Sequence, residues 1–253
     1  MDLMACLTMD PFIYESLKRA FQGGFTHANP FYARETLENV TSFDICSDYP
    51  SMICSKLYPM STPQYVRSWG GREEFEKLCH RGCMIFTVRF IGLSATFNYD
   101  HYISSSKCII TGDRQYSNGR VVRADDLTTT ITNVDYLIIA KTYKWEKMHV
   151  SGVVRWEWGY LPKPIIDSTI TYYEKKTTLK GVVGKEEEYV TSKGLLKAIY
   201  GMMVTDPLRP EVIYNLETNE WGELDSNGDL IMQRYPDDKT EKIEQYNEDP
   251  NRF

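Results

Sequence analysis

The stretch FDICSDYPSM, residues 43–52, decides how the rest of the sequence is interpreted. Its first residues are typical of a β-strand, turn residues follow, and the end is typical of a short helix. Asp44 therefore falls at the end of a predicted strand, where its carboxylate and a neighbouring backbone carbonyl could hold a hard cation such as Mg²⁺. Tyr49 would place its planar aromatic ring beside that cation. Taken alone, the stretch also fits a capped surface turn, because a single Asp is a poor metal site.

Helices and strands are interspersed around this stretch without the regular βαβ order of a parallel sheet, which predicts an α+β fold. Asp10 and Pro11 have the residue types of a helix N-cap and first helical position. Two Asn-Gly pairs, at Asn118 and Asn227, predict β-hairpins within residues 107–123 and 223–233. The pattern predicts helices over residues 11–22, 48–57, 73–78, 133–145, 165–181 and 185–201, and strands over residues 38–47, 83–93, 127–132 and 149–162.

The charge of the chain is unevenly distributed. The 253 residues carry a net charge of −6, which by itself would argue against a phosphate-backbone partner. Residues 217–253, however, contain eleven acidic and four basic residues, a net charge of −7, so residues 1–216 carry +1. Net charge therefore excludes no partner. The chain has no apolar run long enough to span a bilayer, and its six cysteines, without a secretory leader, predict reduced thiols in a cytoplasm.

A second informative region lies near residues 172–201. Lys193, Lys197 and Tyr200 are spaced i, i+4 and i+7, so they share one face of a predicted helix. Lys175 and Lys176 lie in the second half of the predicted helix before it. Two antiparallel helices that each offer lysines could converge on a triphosphate, where the ammonium groups act as point charges. The alternative interpretation is a solvated basic face.

Other candidate sites are poorly supported by their spacing. Cys79, His80 and Cys83 lack the further ligand pair of a structural zinc site. The DSNGD stretch, residues 225–229, begins like a calcium loop, but its glycine is at position 4 and Pro236 stands where the loop needs glutamate. No His is placed to activate a cysteine nucleophile, and P-loop and GxSxG motifs are absent from the sequence.

Four stretches, taken in order, resemble the protein-primed family B DNA polymerases of phages and mobile elements. FQGGF, residues 21–25, is similar to the YxGG segment of that family, and DICSDYP, residues 44–50, resembles motif A, DxxSLYP. TNVD, residues 132–135, falls where the family has a similar sequence in its terminal-protein region. KGLLKAIYG, residues 193–201, resembles motif B, KxxxNSxYG. The resemblance covers essentially the whole chain.

The resemblance implies a polymerase palm fragment with a mixed α+β insertion and a two-helix fingers hairpin. Residues 1–61 would be the N-terminal part of the palm, 62–164 the insertion that contacts the priming terminal protein, 165–201 the fingers, and 202–253 a second insertion hairpin with an acidic tail. It also implies a phage or prophage protein in the cytoplasm of a bacterial host, with primer–template DNA, dNTP and terminal protein as partners and no membrane.

The resemblance also assigns roles to individual residues. Asp44 and the Ile45 carbonyl would hold catalytic Mg²⁺, and the reaction would be a two-metal attack of a primer 3′-hydroxyl on the α-phosphate. Tyr49 would stack under the incoming sugar and exclude a 2′-hydroxyl. The remaining assignments are dNTP binding, by Lys176, Lys193 and Tyr200, and contact with template or other DNA, by Gly23, Gly24, Phe25, Lys175 and Lys197.

The sequence departs from the family pattern in motifs A, B and C, and it has Phe21 where the YxGG segment has tyrosine. Asp48 replaces a leucine in motif A, and Lys197 and Ala198 replace Asn-Ser in motif B. Motif C, YxDTDS, which supplies a second metal-binding carboxylate, is absent from the 253 residues. We therefore expect a truncated, split or remnant polymerase that is inactive alone. The alternatives are a binding module retained for its insertion, and an α+β domain without catalytic descent.

Overall fold

The computed structural model describes residues 10–26, 32 and 34–205, together with the backbone of three short strands between residues 212 and 231. Its α-helices are α1 (Pro11–Ala20), α2 (Asp48–Ser55), α3 (Arg72–Arg81), α4 (Asn133–Thr142), α5 (Lys163–Thr178) and α6 (Glu186–Met203). Its strands are β1 (Tyr58–Pro59), β2 (Gln64–Val66), β3 (Cys83–Ala95), β4 (Cys108–Ser117), β5 (Arg120–Thr132), β6 (Tyr143–Lys144), β7 (Lys147–Trp156), β8 (Trp158–Gly159), β9 (Val212–Asn215), β10 (Glu220–Leu224) and β11 (Leu230–Ile231). The α+β class predicted from the sequence is confirmed.

A six-stranded antiparallel sheet organises the middle of the chain. Its order is β2-β7-β3-β5-β4, and β6 pairs with the end of β3. The two longest strands, β3 and β5, lie side by side, with Phe86 opposite Ile131 and Phe90 opposite Leu127. The predicted Asn-Gly turn joins β4 to β5, because Asn118 and Gly119 adopt the positive φ angles of 48° and 72° that such a turn requires.

The core of this region is built from aromatic side chains of α3, β3 and α4. Phe75 meets Phe86 and Tyr136 edge-on, with ring centroids 5.0 and 5.4 Å apart. All three side chains are buried. Edge-to-face aromatic pairs of this kind add roughly 0.5–1.5 kcal/mol to the free energy gained by burial. This packing holds α3 and α4 against the sheet.

The TNVD stretch has a structural role at the junction of β5 and α4. Thr132 is the N-cap of α4: its hydroxyl accepts the Asp135 N–H at 3.2 Å, and the Asp135 carboxylate accepts the Thr132 N–H at 2.8 Å. This reciprocal arrangement is a capping box. Asn133 is buried, accepts the Met84 N–H at 3.1 Å and donates to the Cys79 carbonyl at 3.0 Å. One side chain thus joins the end of α3 to the starts of β3 and α4.

Replacing Thr132 with alanine is expected to lower the free energy of unfolding by about 1 kcal/mol, because the first turn of α4 loses its cap. Chemical denaturation monitored by circular dichroism measures the change. Thr62→Ala, at an exposed position outside any helix cap, is the matched control and should leave the midpoint unaltered. Equal midpoints for Thr132→Ala and the wild-type chain would contradict the assigned cap.

Two predictions about local structure are wrong. Residues 38–45 form no strand, because no described strand pairs with them; Phe43 and Ile45 are 91% and 71% exposed. The helix predicted over residues 133–145 ends at Thr142 and continues directly into β6. Tyr136 and Ile139 are its buried apolar side chains, whereas Val134 is half exposed.

The chain divides into two compact units, Ser16–Tyr200 and Met1–Glu15 with Gly201–Phe253. In the first, α5 and α6 are joined by a short loop in which Gly181 and Gly184 have φ near 79°. In the second, β9, β10 and β11 form an antiparallel sheet. Leu224 of β10 pairs with Leu230 of β11, which agrees with the hairpin predicted within residues 223–233. The turn between those residues lies outside the described part. None of the described helices is long and apolar enough to cross a membrane.

Candidate active site

A cleft of about 870 Å³ lies between the motif at residues 43–50 and the helices α5 and α6. All of its walls belong to the Ser16–Tyr200 unit. The motif is more than a hundred residues away from α5 and α6 along the chain, so only the tertiary fold brings it to the two helices. The lining residues are Phe43, Asp44, Ile45, Ser47, Asp48, Tyr49, Pro50, Lys176, Lys193, Leu196, Lys197 and Tyr200.

The motif turns sharply at Ser47. This residue has φ 57° and ψ 41°, the left-handed conformation, which a non-glycine residue adopts infrequently. The turn separates the extended end of the motif, with Asp44, from the first turn of α2, with Asp48 and Tyr49. Both carboxylates consequently line the same cleft. The negative charge of Asp48 is favourable at the N-terminus of α2, where the backbone N–H groups are unpaired.

Lysines of α5 and α6 face these carboxylates across the cleft. The Lys176 ammonium donates to the Ser47 hydroxyl at 2.7 Å, a contact that joins α5 to the turn before α2. Lys193 Nζ lies 5.9 Å from the centroid of the Tyr189 ring on its own helix. Lys197 makes no hydrogen bond or ion pair with any residue in the described part of the chain. Three positive and two negative side chains therefore line the cleft.

An aromatic pair closes the cleft on another side. The rings of Tyr49 and Tyr200 are stacked, with centroids 3.7 Å apart and planes 19° from parallel. The hydrogen bond with the Tyr49 hydroxyl, reinforced by partial burial, raises the pKa of Tyr200. The Tyr200 hydroxyl therefore remains protonated near neutral pH. The stacking holds α6 against the start of α2. Tyr200 itself lies about one helical turn from Lys197 along α6.

Most of the residues singled out in the sequence meet in this cleft. Lys175 does not line it; its Nζ is 4.0 Å from the Glu188 carboxylate of α6. Gly23, Gly24 and Phe25 lie elsewhere in the fold, where the Phe25 ring stacks on Tyr102 at 6.0 Å. The residues that the sequence singled out and that do line the cleft are Asp44, Ile45, Tyr49, Lys176, Lys193, Lys197 and Tyr200.

Sequence reasoning missed the parts played by Ser47 and Asp48. Ser47 has a common turn residue type, and nothing in the sequence indicates that a lysine 129 positions away would bind its hydroxyl. Asp48 is visible in the sequence only as a departure from motif A. Its position within the motif could have placed it in the cleft, because it directly precedes Tyr49.

The cleft contains two oxygen groups of the kind that bind Mg²⁺. Mg²⁺ prefers octahedral coordination by oxygen ligands, and the Asp44 carboxylate and Ile45 carbonyl would give two of them. Among the described residues, no three His, Cys, Asp or Glu side chains are grouped closely enough to hold a metal ion. The described residues therefore do not complete the two-metal set that the resemblance implies.

Comparison with known proteins gives a family and a fold. Residues 6–252 match the family of DNA polymerases type B, organellar and viral. Phi29 DNA polymerase in an orthorhombic crystal form is similar to this chain, with 18% identity and a TM-score of 0.62 over 95% of this chain and 40% of that chain. Phi29 DNA polymerase complexed with primer-template DNA and incoming nucleotide substrates has 19% identity and a TM-score of 0.59 over 89% of this chain and 36% of that chain.

This chain thus spans about two fifths of the length of the Phi29 structures that it matches. At such low identity the structural likeness concerns the fold alone. No curated protein matches the sequence.

Proposed function

Because the chain belongs to the organellar and viral DNA polymerases of type B, we propose that it forms the nucleotide-binding part of a protein-primed DNA polymerase. The observation that supports this most directly is the hydrogen bond between Lys176 and Ser47, which joins the fingers hairpin to motif A beside one cleft. The cleft combines ammonium groups with an aromatic pair. A nucleoside triphosphate has the complementary combination, an anionic tail and a planar base on a sugar.

The lysines are the proposed contacts for the triphosphate. Lys193 and Lys176 come from opposite helices of the hairpin and line the same cleft, so their ammonium groups can approach a phosphate chain from two directions. Ammonium–phosphate hydrogen bonds are charge-assisted and stronger than neutral ones. Tyr200 lies on the same face of α6 as Lys193, about 10 Å further along the helix axis at 1.5 Å per residue. That separation fits the distance from the triphosphate to the base.

Tyr49 is the proposed contact for the sugar. Its ring forms part of the cleft wall and is stacked on the ring of Tyr200, and this contact fixes its orientation. A ring that packs against the sugar leaves no space for a 2′-hydroxyl, which would select deoxynucleotides. The proposed reaction is attack of a primer 3′-hydroxyl oxygen on the α-phosphorus: the new P–O bond forms, the bond to the β-phosphate bridging oxygen breaks, pyrophosphate leaves, and the hydroxyl proton passes to solvent.

Mg²⁺, when bound, would neutralise the developing charge on the phosphates. Asp44 and the Ile45 carbonyl are the proposed ligands from this chain. Among the described residues no three His, Cys, Asp or Glu side chains are grouped closely enough to hold a metal ion, so the remaining ligands of a two-metal set would come from residues outside them. The other proposed partners are primer–template DNA at Gly23, Gly24 and Phe25, and a terminal protein at residues 62–164. The proposed place of action is the cytoplasm of a bacterial host.

We expect the 253-residue chain to bind dNTP and primer–template DNA but to add no nucleotide to a primer in the presence of Mg²⁺. Binding uses the cleft and the segment after α1, whereas the chemical step needs a metal set that the described residues do not complete. Equilibrium binding of a dNTP and of a labelled primer–template, with gel analysis of extension, tests both parts.

Absence of both dNTP and DNA binding would contradict the proposed function. Robust extension that is lost in Asp44→Ala would contradict the incomplete metal set while supporting the assignment of Asp44. Lys180→Ala, at an exposed position outside the cleft, is the control for non-specific charge effects on binding.

A further inference from the structure

A second depression, of about 620 Å³, lies where the tip of the β4–β5 hairpin meets the segment after α1. Its lining contains one guanidinium, one amide and several hydroxyl groups, and none of its lining residues carries a carboxylate. An isolated antiparallel bridge between Ser104 and Arg120 joins the segment that precedes β4 to the start of β5. The lining side chains are those of Thr26, Ser104, Ser105, Ser106, Asn118 and Arg120.

Arg120 is held rigidly at this depression. Its Nη1 donates to the Tyr102 carbonyl at 2.9 Å, and its guanidinium carbon lies 4.8 Å from the centroid of the Phe25 ring. It forms no ion pair with any carboxylate of the described residues. A guanidinium has five N–H donors, and one of them is used here. The depression therefore contains an oriented, unneutralised positive charge.

The neighbouring hydroxyl groups leave further donors available. The Ser105 hydroxyl donates to the Gly119 carbonyl at 2.9 Å, and the Ser104 and Ser106 hydroxyls are 3.0 Å apart, so one of those two serines keeps its proton for another acceptor. Thr26 and Asn118 make no side-chain hydrogen bond with other described residues. Spare donors around an arginine, without a competing acid, match an anionic oxygen ligand.

We propose that this depression binds a phosphodiester of a nucleic-acid strand that passes over Gly23 and Gly24. Thr26 follows those glycines within two residues and its N–H donates to the Gly24 carbonyl at 2.9 Å, so the depression continues directly from the exposed glycines. Phosphate contacts by arginine and hydroxyl groups position a strand without reading its sequence. The site rests on the proposed function. It extends the proposed DNA path from the segment after α1 onto the β4–β5 hairpin, which lies within residues 62–164.

Two substitutions test the site with little disturbance of the fold. Arg120→Gln removes the charge and keeps a planar N–H donor for the Tyr102 carbonyl. Asn118→Asp adds a negative charge at a left-handed turn position that Asp tolerates. Each should weaken binding of labelled single-stranded DNA about tenfold at low salt. Arg120→Gln should also reduce the slope of log affinity against log salt by about 0.7, the value for one single-strand phosphate contact.

Asn98→Asp is the matched control, with the same charge change at an exposed loop position outside the depression, and it should bind like the wild-type chain. Wild-type affinity and salt slope in both variants would overturn the site. Failure of the wild-type chain to bind either DNA or dNTP would overturn the proposed function instead. Competition separates the sources of phosphate: displacement of DNA by an unlabelled oligonucleotide, but not by millimolar inorganic phosphate, is expected. Displacement by inorganic phosphate at micromolar concentration would overturn the assignment to a nucleic-acid strand.

Discussion

Replacing Lys176 and Lys193 together by alanine is expected to weaken dNTP binding by at least about 100-fold. Each ammonium makes a charge-assisted contact in the proposed complex, and such contacts contribute roughly 1.5–3 kcal/mol each. The two lysines reach the cleft from different helices, so neither can replace the other. Isothermal titration of dNTP into the variant and the wild-type chain measures the change.

The double variant Lys163→Ala with Lys180→Ala is the matched control. It removes the same charge from the same hairpin at exposed positions outside the cleft, and it should retain wild-type affinity. Ser47→Ala separates a direct role of Lys176 from its bond to Ser47: it removes that bond and keeps the ammonium, so we expect a loss well below tenfold. Equal losses in the cleft variant and its control would show that binding depends on net charge rather than on this cleft.

Replacing Asn133 by leucine is expected to lower the free energy of unfolding by about 3 kcal/mol. The substitution leaves the Met84 N–H and the Cys79 carbonyl without partners, and each unsatisfied buried group costs roughly 1–3 kcal/mol. Leucine has the same number and branching of side-chain heavy atoms and leaves no cavity, so the loss reports mainly the missing hydrogen bonds. Urea denaturation followed by tryptophan fluorescence measures it.

Asn133→Asp sharpens the interpretation. Aspartate can still accept the Met84 N–H, but it cannot donate to the Cys79 carbonyl and would place a negative charge in a buried position. It should therefore destabilise the chain at neutral pH despite its near-identical shape. Asn98→Leu, at an exposed loop position, should leave stability within about 0.5 kcal/mol. Wild-type stability of Asn133→Leu would contradict the structural role assigned to the TNVD stretch.

The sequence determined much of the secondary structure because its signals are local. Alternating and continuous apolar residues place β3 and β5, the Asn118-Gly119 pair places the hairpin between β4 and β5, and Asp10 caps α1 by accepting the Ile13 N–H at 3.0 Å. The spacing of Lys193 and Tyr200 placed both on one face of α6. Each of these signals depends on residues within about two helical turns or one strand of each other.

Tertiary structure decided which of these residues share a site. The segment around Phe43 has strand-like residues but no strand, because a strand needs a hydrogen-bonding partner and no described segment supplies one. The bond between Lys176 and Ser47, the stack of Tyr49 on Tyr200, and the meeting of Arg120 with Phe25 join residues that lie far apart along the chain. The pattern of one segment contains no information about the position of another, so such contacts follow only from the packed fold.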